Sequence, residues 1–339
     1  LGPLYGELDA LNAMDLFGRK ARYEQTLQLA SGVSATFHDA GHILGSASIR
    51  LTYRNGENEK AIIFSGDIGS SDRPILRDPV VPPPAETVVM ESTYGDRVHK
   101  PLAPSVQEMY DIIDETMARG GNVIIPTFAL ERAQELLYHL REGVDQGVIP
   151  RTLPVFLDSP MAISATEIFR HHPECYDADA RAIFERGDDP FWLPGVHFTR
   201  ETADSMALNR LSGGAVIMAG SGMCTGGRVR HHLRHNLWRR EASVIFVGWA
   251  APGTFARRLI DGAERIRLFG DDIPVKAQLH TINGFSAHAD RDELLAWHDA
   301  IKPDRTILVH GEEKTMQAFS EALNDTQVLM PEQGDSIDL

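Results

Sequence analysis

Four short apolar runs each end at a side chain that can hold a metal or move a proton. VSATFHDAGH ends at His42, AIIFSGD at Asp67, TVVME at Glu91 and TILVH at His310. Because ionisable side chains repeated at strand ends converge at one edge of a sheet, we expect these four to lie close together. The sequence therefore predicts an active site along one sheet edge.

Each of these residues also has an ordinary structural interpretation. His42, in the glycine-rich AGHILGS, could be a loop histidine bonded to backbone. Asp67, in SGDIG, could cap a turn, and Glu91 could be a surface glutamate at a strand end. The repetition of ligand types at three separate strand ends favours a site over coincidence.

A fifth candidate is His288 in GFSAHAD, just before a helix predicted to begin near Asp290. A histidine at such a turn could donate a proton to a leaving oxygen, and Glu91 could orient its imidazole and raise its pKa. The alternative is that His288 and Asp290 only cap the helix.

The stretch GSGMCTGGR, residues 220–228, joins an apolar run to a basic one. Backbone N–H groups of a glycine-rich turn at a helix N-terminus can hold a phosphate, although the Lys-Ser/Thr of a Walker A loop is absent. The alternative is a plain tight turn. VGWAAPGTFARRL forms a similar turn before Arg257 and Arg258. Two such turns beside a metal site favour a phosphodiester substrate.

The run GRVRHHLRHNLWRR is the most basic part of the chain. If it is helical, one face carries Arg228, His232, His235 and Arg239. This face could bind phosphate, or it could be a solvated helix face. The net charge of −15 argues against a protein that coats nucleic acid in general, because such binding draws on Lys and Arg.

Composition is that of a globular protein, with 339 residues and 42% hydrophobic content. The length predicts roughly two domains. The apolar stretches are too short to cross a bilayer, and no signal peptide is recognisable. Cys175 and Cys224 lack CxxC spacing, so any metal must be held by His and carboxylate, and a reducing cytoplasm is expected.

Element patterns predict an α/β protein with one domain inserted in another. A short amphipathic helix over residues 3–17 precedes strands that fill most of the first hundred residues, with a hairpin turn at Asn55-Gly56. From 105 to 248 strands alternate with helices, which is typical of parallel βαβ units. Strands at 265–269 and 275–282, and the helices and strand after them, then return to the first domain.

Together these motifs resemble one family, the metallo-β-lactamase-fold nucleases with an inserted β-CASP domain. These are RNA-processing endonucleases of bacteria and archaea, similar to the cleavage subunit of messenger-RNA 3′-end processing. The motifs in chain order are GHILGS, SGD, ESTYGD, PTFALERAQE, DSP, GSGMCTGG, APGT, GFSAHAD and LVHGE. The resemblance implies an αββα sandwich with an inserted doubly wound parallel sheet. The expected parts are 1–97 and 260–339 for the metallo-β-lactamase domain and 98–259 for the β-CASP domain.

The resemblance also implies roles for particular residues. His42 and His310 would bind different zinc ions, and Asp67 would bridge the two. Glu91, His288 and His310 would occupy the acidic, first-histidine and second-histidine motifs of β-CASP proteins, with Asp67, Glu91 and His288 as the catalytic set. The implied partner is single-stranded RNA, and the chain could form a homodimer. The residues expected to hold RNA phosphates are Ser221, Gly222, Thr225, Gly226 and Arg228, with Arg132 or Arg257.

One departure from the family is large, because the sequence contains no HxHxDH motif. The residues present offer one or two ligands per metal, fewer than the three or four that zinc sites use. We therefore expect two zinc ions in an intact protein, but poor zinc binding and inactivity in this polypeptide. The start at Leu1 suggests an N-terminal truncation that leaves the sandwich incomplete. Alternatives are a non-catalytic RNA-binding or scaffold paralogue and, less favoured because of the insert, a small-molecule metallohydrolase.

Overall fold

Two large sheets organise the protein, seen in a computed structural model that describes residues 5–338 except residue 57. The strands are β1 (Thr26–Ala30), β2 (Val33–Asp39), β3 (Ala47–Asn55), β4 (Asn58–Phe64), β5 (Thr87–Glu91), β6 (Val123–Pro126), β7 (Val155–Leu157), β8 (Val196–Phe198), β9 (Val216–Ala219), β10 (Ser243–Val247), β11 (Arg265–Leu268), β12 (Asp271–Pro274), β13 (Gln278–Ile282), β14 (Arg305–Val309) and β15 (Gln327–Leu329). The helices are α1 (Glu7–Met14), α2 (Leu102–Ala118), α3 (Arg132–Asp145), α4 (Pro160–His171), α5 (Ala178–Glu185), α6 (Thr202–Leu208), α7 (Val229–Asn236), α8 (Phe255–Ile260), α9 (Arg291–Ile301) and α10 (Glu313–Ala322).

The first sheet has seven strands in the order β1-β2-β3-β4-β5-β14-β15. Strands β1 to β4 pair antiparallel, whereas β4, β5, β14 and β15 pair parallel. Strand β2 therefore runs in the same direction as β4, β5 and β14, so the C-terminal ends of these four strands lie at one edge of the sheet. These are the four strands that the sequence predicted to end at ionisable side chains.

Apolar residues on this sheet pack against two helices near the C-terminus. Val88 and Met90 of β5 share a buried core with Leu294 and Trp297 of α9 and with Phe319 of α10. Helix α9 begins with a capping box, in which the Asp290 carboxylate accepts from the N–H groups of Asp292 and Glu293. The cap fixes the direction in which the preceding loop, which carries His288, enters the helix.

The second sheet has six strands, all parallel, in the order β13-β10-β6-β9-β7-β8. Successive residues of β6 point to opposite faces: Val123 and Ile125 lie in one core with α2 and α3, whereas Ile124 lies in another with α7 and α8. Helices thus cover both faces, as predicted for a doubly wound insert.

Several sequence expectations differ from the structure in their limits. Strand β13 pairs with β10 in the six-stranded sheet, so the chain leaves this sheet after Ile282, beyond the expected limit at 259. Of the strand expected at 275–282, only residues 278–282 are extended, as β13, and β12 precedes the expected strand. Helix α1 is shorter than the predicted helix, whose residues 3 and 4 lie outside the described residues, and none of its side chains is buried. None of the helices in the described part of the chain has the length and apolar character needed to cross a membrane.

Candidate metal centre and active site

Two glycines bring the His42 loop against the segment that follows β4. Gly41 has a positive φ of 62°, and a Cβ there would lie 2.7 Å from the backbone nitrogen of Pro79. A Cβ on Gly69 would overlap the carbonyl oxygen of Gly41. Within the loop, the Ser46 hydroxyl accepts hydrogen bonds from the N–H groups of His42 and Ile43, at 3.1 and 3.2 Å. This close packing positions the His42 side chain beside Asp67.

The carboxylate of Asp67 lies between two imidazoles. Its Oδ2 is 3.7 Å from Nε2 of His42, and its Oδ1 is 3.2 Å from Nδ1 of His310. The His42 side chain is 11% exposed and that of His310 is 56% exposed, so the group opens to solvent on the His310 side. One carboxylate oxygen of Asp67 thus faces each histidine.

His288 and Glu91 form a hydrogen-bonded pair next to Asp67. Nδ1 of His288 lies 3.0 Å from Oε2 of Glu91, and because a carboxylate only accepts, this ring nitrogen carries the proton. Glu91 is buried and also accepts from the N–H of Ile68 at 2.6 Å. The His288 ring centroid is 4.3 Å from that of His42 and 5.7 Å from that of His310. With Nδ1 bonded to Glu91, Nε2 of His288 is free for the site.

The pKa values of the two buried histidines, His42 and His288, shift in opposite directions. Burial, together with the charge of His288, lowers the pKa of His42, which favours the neutral imidazole that binds metals. Burial also acts to lower the pKa of His288, but the hydrogen bond and charge of Glu91 and the charge of Asp67 outweigh it and the pKa is raised. For Glu91, burial is likewise outweighed by His288, and the pKa of this carboxyl is lowered. The pKa values of His42 and His288 are thus shifted in opposite directions, His42 toward the neutral ring and His288 toward the protonated one.

The donor set suits a metal. Ligand atoms of Asp67, Glu91, His288 and His310 lie within 4.8 Å of one another. Imidazole nitrogens and carboxylate oxygens are ligands that zinc uses. Nδ1 of His288 is hydrogen-bonded to Glu91, whereas Asp67, His310 and Nε2 of His288 keep atoms that could reach an ion, with His42 beside them.

Sequence reasoning missed three residues that support this group. The Thr93 hydroxyl donates to the carbonyl of His310 at 3.0 Å, and its oxygen is 3.1 Å from Nδ1 of that ring, which orients the imidazole. Nε2 of His99 donates to the carbonyl of His288 at 3.1 Å, and Tyr94 packs edge-on against His99 with the ring centroids 4.6 Å apart. Thr93 and Tyr94 stand beside Glu91 in ESTYGD, and that proximity was the only available signal.

The residues predicted to hold phosphates fall into two groups, an open loop and three arginines that already have protein partners. Ser221, Gly222, Thr225 and Gly226 form a compact loop in which the Ser221 hydroxyl accepts from the N–H of Gly226 at 3.4 Å. A Cβ on Gly226 would meet open space, and Thr225 is exposed, so this loop has room for a ligand.

The three arginines of the same prediction already have protein partners. Arg228 donates to Asp158 at 2.7 Å and to the carbonyl of Thr199 at 2.9 Å, so its guanidinium anchors the loop. Arg132 is buried and pairs with Glu135, and Arg257 pairs with an aspartate one helical turn away. The basic helix face is also internal at His232, which is buried, so it is neither a free basic patch nor a solvated face there.

Comparison with known proteins identifies the class of fold. A family model described as "Beta-Casp domain" matches residues 133–259, and one described as "Zn-dependent metallo-hydrolase RNA specificity domain" matches residues 272–331. A crystal structure of a protein of unknown function from Enterococcus faecalis V583 shares the fold, with a TM-score of 0.52 at 12% identity over 95% of this chain and 68% of that chain. The fold is therefore that of a metallo-β-lactamase with a β-CASP insertion.

Relatives of similar sequence identify the family. The chain is 38% identical over 321 residues to "Ribonuclease TTHA0252" of Thermus thermophilus, covering 95% of this chain and 72% of the relative. It is 35% identical over 312 residues to "Transcription termination factor FttA" of Methanocaldococcus jannaschii, covering 89% of this chain and 48% of that relative. The chain belongs to the β-CASP family of metallo-β-lactamase-fold RNA nucleases.

Proposed function

We propose that this protein is a metal-dependent ribonuclease that hydrolyses phosphodiester bonds of single-stranded RNA at the strand-end site. The observation that carries the proposal is the position of Asp67 between His42 and His310, with the His288–Glu91 pair beside it. RNA as the substrate is supported by the "RNA specificity domain" match and by the ribonuclease relative.

Two zinc ions are the metals we propose, held by His42, Asp67 and His310 with Asp67 shared. Ions of this kind, when bound, activate a water molecule and stabilise negative charge on phosphoryl oxygens. The three side chains supply two ligands for each ion, whereas zinc sites use three or four. We therefore retain the prediction that this 339-residue polypeptide binds zinc weakly.

His288 is the group we propose to protonate the leaving oxygen. Its Nδ1–H donates to Glu91, so Nε2 faces the site with the second proton of the imidazolium. The pKa of His288 is raised, chiefly by Glu91, which favours the protonated ring that this role requires. As the phosphorus–oxygen bond breaks, Nε2 gives its proton to the departing oxygen, and the pair returns to neutral imidazole and carboxylate.

Phosphate contacts are assigned to the loop formed by residues 221–226 rather than to Arg228. The hydroxyls of Ser221 and Thr225 and the N–H groups around Gly226 are the donors that we propose. Arg228 contributes by holding the loop through Asp158. We also keep the predictions of a cytoplasmic location, from the cysteine usage, and of a homodimer, from the family resemblance.

The proposal is tested by incubating the purified protein with single-stranded and duplex RNA, with and without EDTA, and by restoring zinc afterwards. In a protein that also carries the HxHxDH ligands, we expect cleavage of single strands that EDTA abolishes and zinc restores, whereas this 339-residue polypeptide is expected to bind zinc weakly and to cleave little. Cleavage that resists EDTA would remove the metal from the mechanism. RNA binding without cleavage at any zinc concentration would favour the scaffold alternative.

A variant separates the proton donor from the metal ligands. His288→Ala is expected to lower turnover by roughly 10²- to 10⁴-fold, the usual contribution of a general acid, with zinc content unchanged. His171→Ala, an exposed histidine on α4, is the matched control and should behave as wild type. If zinc content falls together with turnover in His288→Ala, His288 is a metal ligand and not the proton donor.

A further inference from the structure

A continuous groove leads away from His310 along the surface. A cavity of about 250 Å³ is lined by Thr93, Tyr94, Arg97, Trp249 and His310, together with Gly311, Glu312 and Thr315. A second cavity, of about 470 Å³, shares Tyr94, Arg97 and Trp249 with the first and extends to Lys100 and Arg257. Because the shared residues join the two cavities, one groove connects the candidate metal centre with the outer end of β10.

Trp249 stands at the point where the two cavities meet. Its side chain is 45% exposed, and it follows β10 directly after Gly248, whose φ is +88°. The N–H of Gly248 is held by the carbonyl of Ile282 at 3.0 Å, so the backbone that carries the indole is fixed to the sheet. A single exposed aromatic is common on protein surfaces. This one lines both cavities, the first of which includes His310.

The groove also carries positive charge, in a chain whose net charge is −15. Arg97, half exposed, pairs with Asp96 at 2.7 and 2.9 Å, and its guanidinium lies 5.8 Å from the centre of the Tyr94 ring. Lys100 is exposed and forms no ion pair with the residues that the structure describes. One acidic side chain, Glu312, lines the inner cavity. Aromatic rings interleaved with cations are the combination that binds single-stranded nucleic acid.

We propose that Trp249 is a stacking platform for a nucleobase of single-stranded RNA, with Arg97 and Lys100 beside its phosphates. The inference rests on the proposed function, since it assigns part of the substrate path of the same site. Stacking on an indole tolerates any base, because every base has a π-face. Trp249 therefore contributes to the affinity for single strands and not to sequence preference.

The test is equilibrium binding in EDTA, which prevents cleavage, with oligouridylate and with an abasic ribose-phosphate oligomer of the same length. Trp249→Ala is expected to weaken oligouridylate binding roughly 5- to 100-fold, the range typical of one base–aromatic stack, and to leave the abasic oligomer within about twofold. Trp249→Phe should recover most of the affinity. Wild-type tryptophan emission should be quenched by RNA, and Trp249→Phe should lose that quenching even if Trp249→Ala fails to fold.

Trp238→Ala is the matched control. Trp238 is 50% exposed and precedes β10, whereas Trp249 follows it, so the two indoles lie at opposite ends of this strand. Equal losses for oligouridylate and the abasic oligomer, or no loss for either, would overturn the stacking inference while wild-type RNA binding keeps the proposed function intact. A wild-type protein that binds neither oligomer would instead overturn the proposed function.

Discussion

Replacing Asp158 by asparagine tests whether Arg228 is a structural residue. The Asp158 carboxylate is fully buried and accepts from Arg228 at 2.7 Å, from His232 at 2.6 Å and from Ser205 at 2.6 Å. Asp158→Asn keeps the shape of the side chain but removes the charge, which leaves the Arg228 guanidinium and the His232 ring without their anion. Removal of one partner from a buried ion pair costs about 3–5 kcal/mol. We expect a loss of that size in the free energy of unfolding, measured by urea denaturation with circular dichroism at pH 7.

The pH dependence of this loss follows from the pKa of Asp158. Burial acts to raise this pKa, but hydrogen bonds from His232, Ser205 and Arg228 outweigh it, so the pKa falls below the ordinary value of 3.8. A carboxyl with a depressed folded pKa stabilises the protein fully above 3.8, and the contribution disappears as the pH falls through the lower folded value. The difference between wild type and variant should therefore be complete at neutral pH and shrink only in strong acid.

Two controls accompany Asp158→Asn. Asp261→Asn breaks the exposed pair with Arg257 and should leave the urea midpoint unchanged, because water already screens that pair. The double variant Asp158→Asn/Arg228→Gln should lose less free energy of unfolding than the sum of the two single losses, because it also removes the guanidinium charge that Asp158→Asn leaves unpaired. A loss below about 1 kcal/mol for Asp158→Asn, the level of surface ion pairs, would refute the reasoning and return Arg228 to the phosphate-binding set.

Two further changes probe the loop around His42. Glu131 is buried, and its Oε2 has no hydrogen-bond partner among the described residues. Burial raises the pKa of this carboxyl well above 4.5 in the folded protein. The free energy of unfolding should therefore fall as the pH rises from 4.5 toward that raised pKa. Glu131→Gln should raise the melting temperature at pH 8 more than at pH 5 in thermal scans, and an equal decrease at both pH values would contradict this. Gly69→Ala should lower stability by about 1–3 kcal/mol in urea denaturation, through overlap with Gly41, and should reduce turnover, whereas Gly18→Ala, whose Cβ would meet open space, should be neutral in both measurements.

The parts of the site that the sequence could predict are those encoded locally. An apolar run followed by His42, Asp67, Glu91 or His310 is visible in the sequence, and the parallel order of β2, β4, β5 and β14 then brings these residues to one edge. The inserted parallel sheet could be predicted in the same way, because strand patterns alternate with helix patterns from residue 105 to residue 248.

The parts that could not be predicted depend on contacts between distant segments. Arg228 looks like a phosphate ligand until Asp158, seventy positions earlier, is placed beside it. Thr93 orients His310 across 217 positions, and no local pattern indicates that pairing. The pairing of β13 with β10 is a further example, because a short run such as QLHTI gives no local sign of which strand it joins.

Backbone hydrogen bonds hold the loop that carries His288 against the segment after β4. The N–H of Ser70 donates to the carbonyl of Ala287 at 3.1 Å, and the N–H of Ala289 donates to the carbonyl of Ile68 at 2.7 Å. His288 thus lies in a loop that follows β13 of the six-stranded sheet and is hydrogen-bonded to the segment after β4 of the seven-stranded sheet. Separation of the segment after β4 from the loop that carries His288 would break these two hydrogen bonds and move His288 away from Glu91. We therefore expect the His288–Glu91 pair to keep its geometry when substrate enters and product leaves.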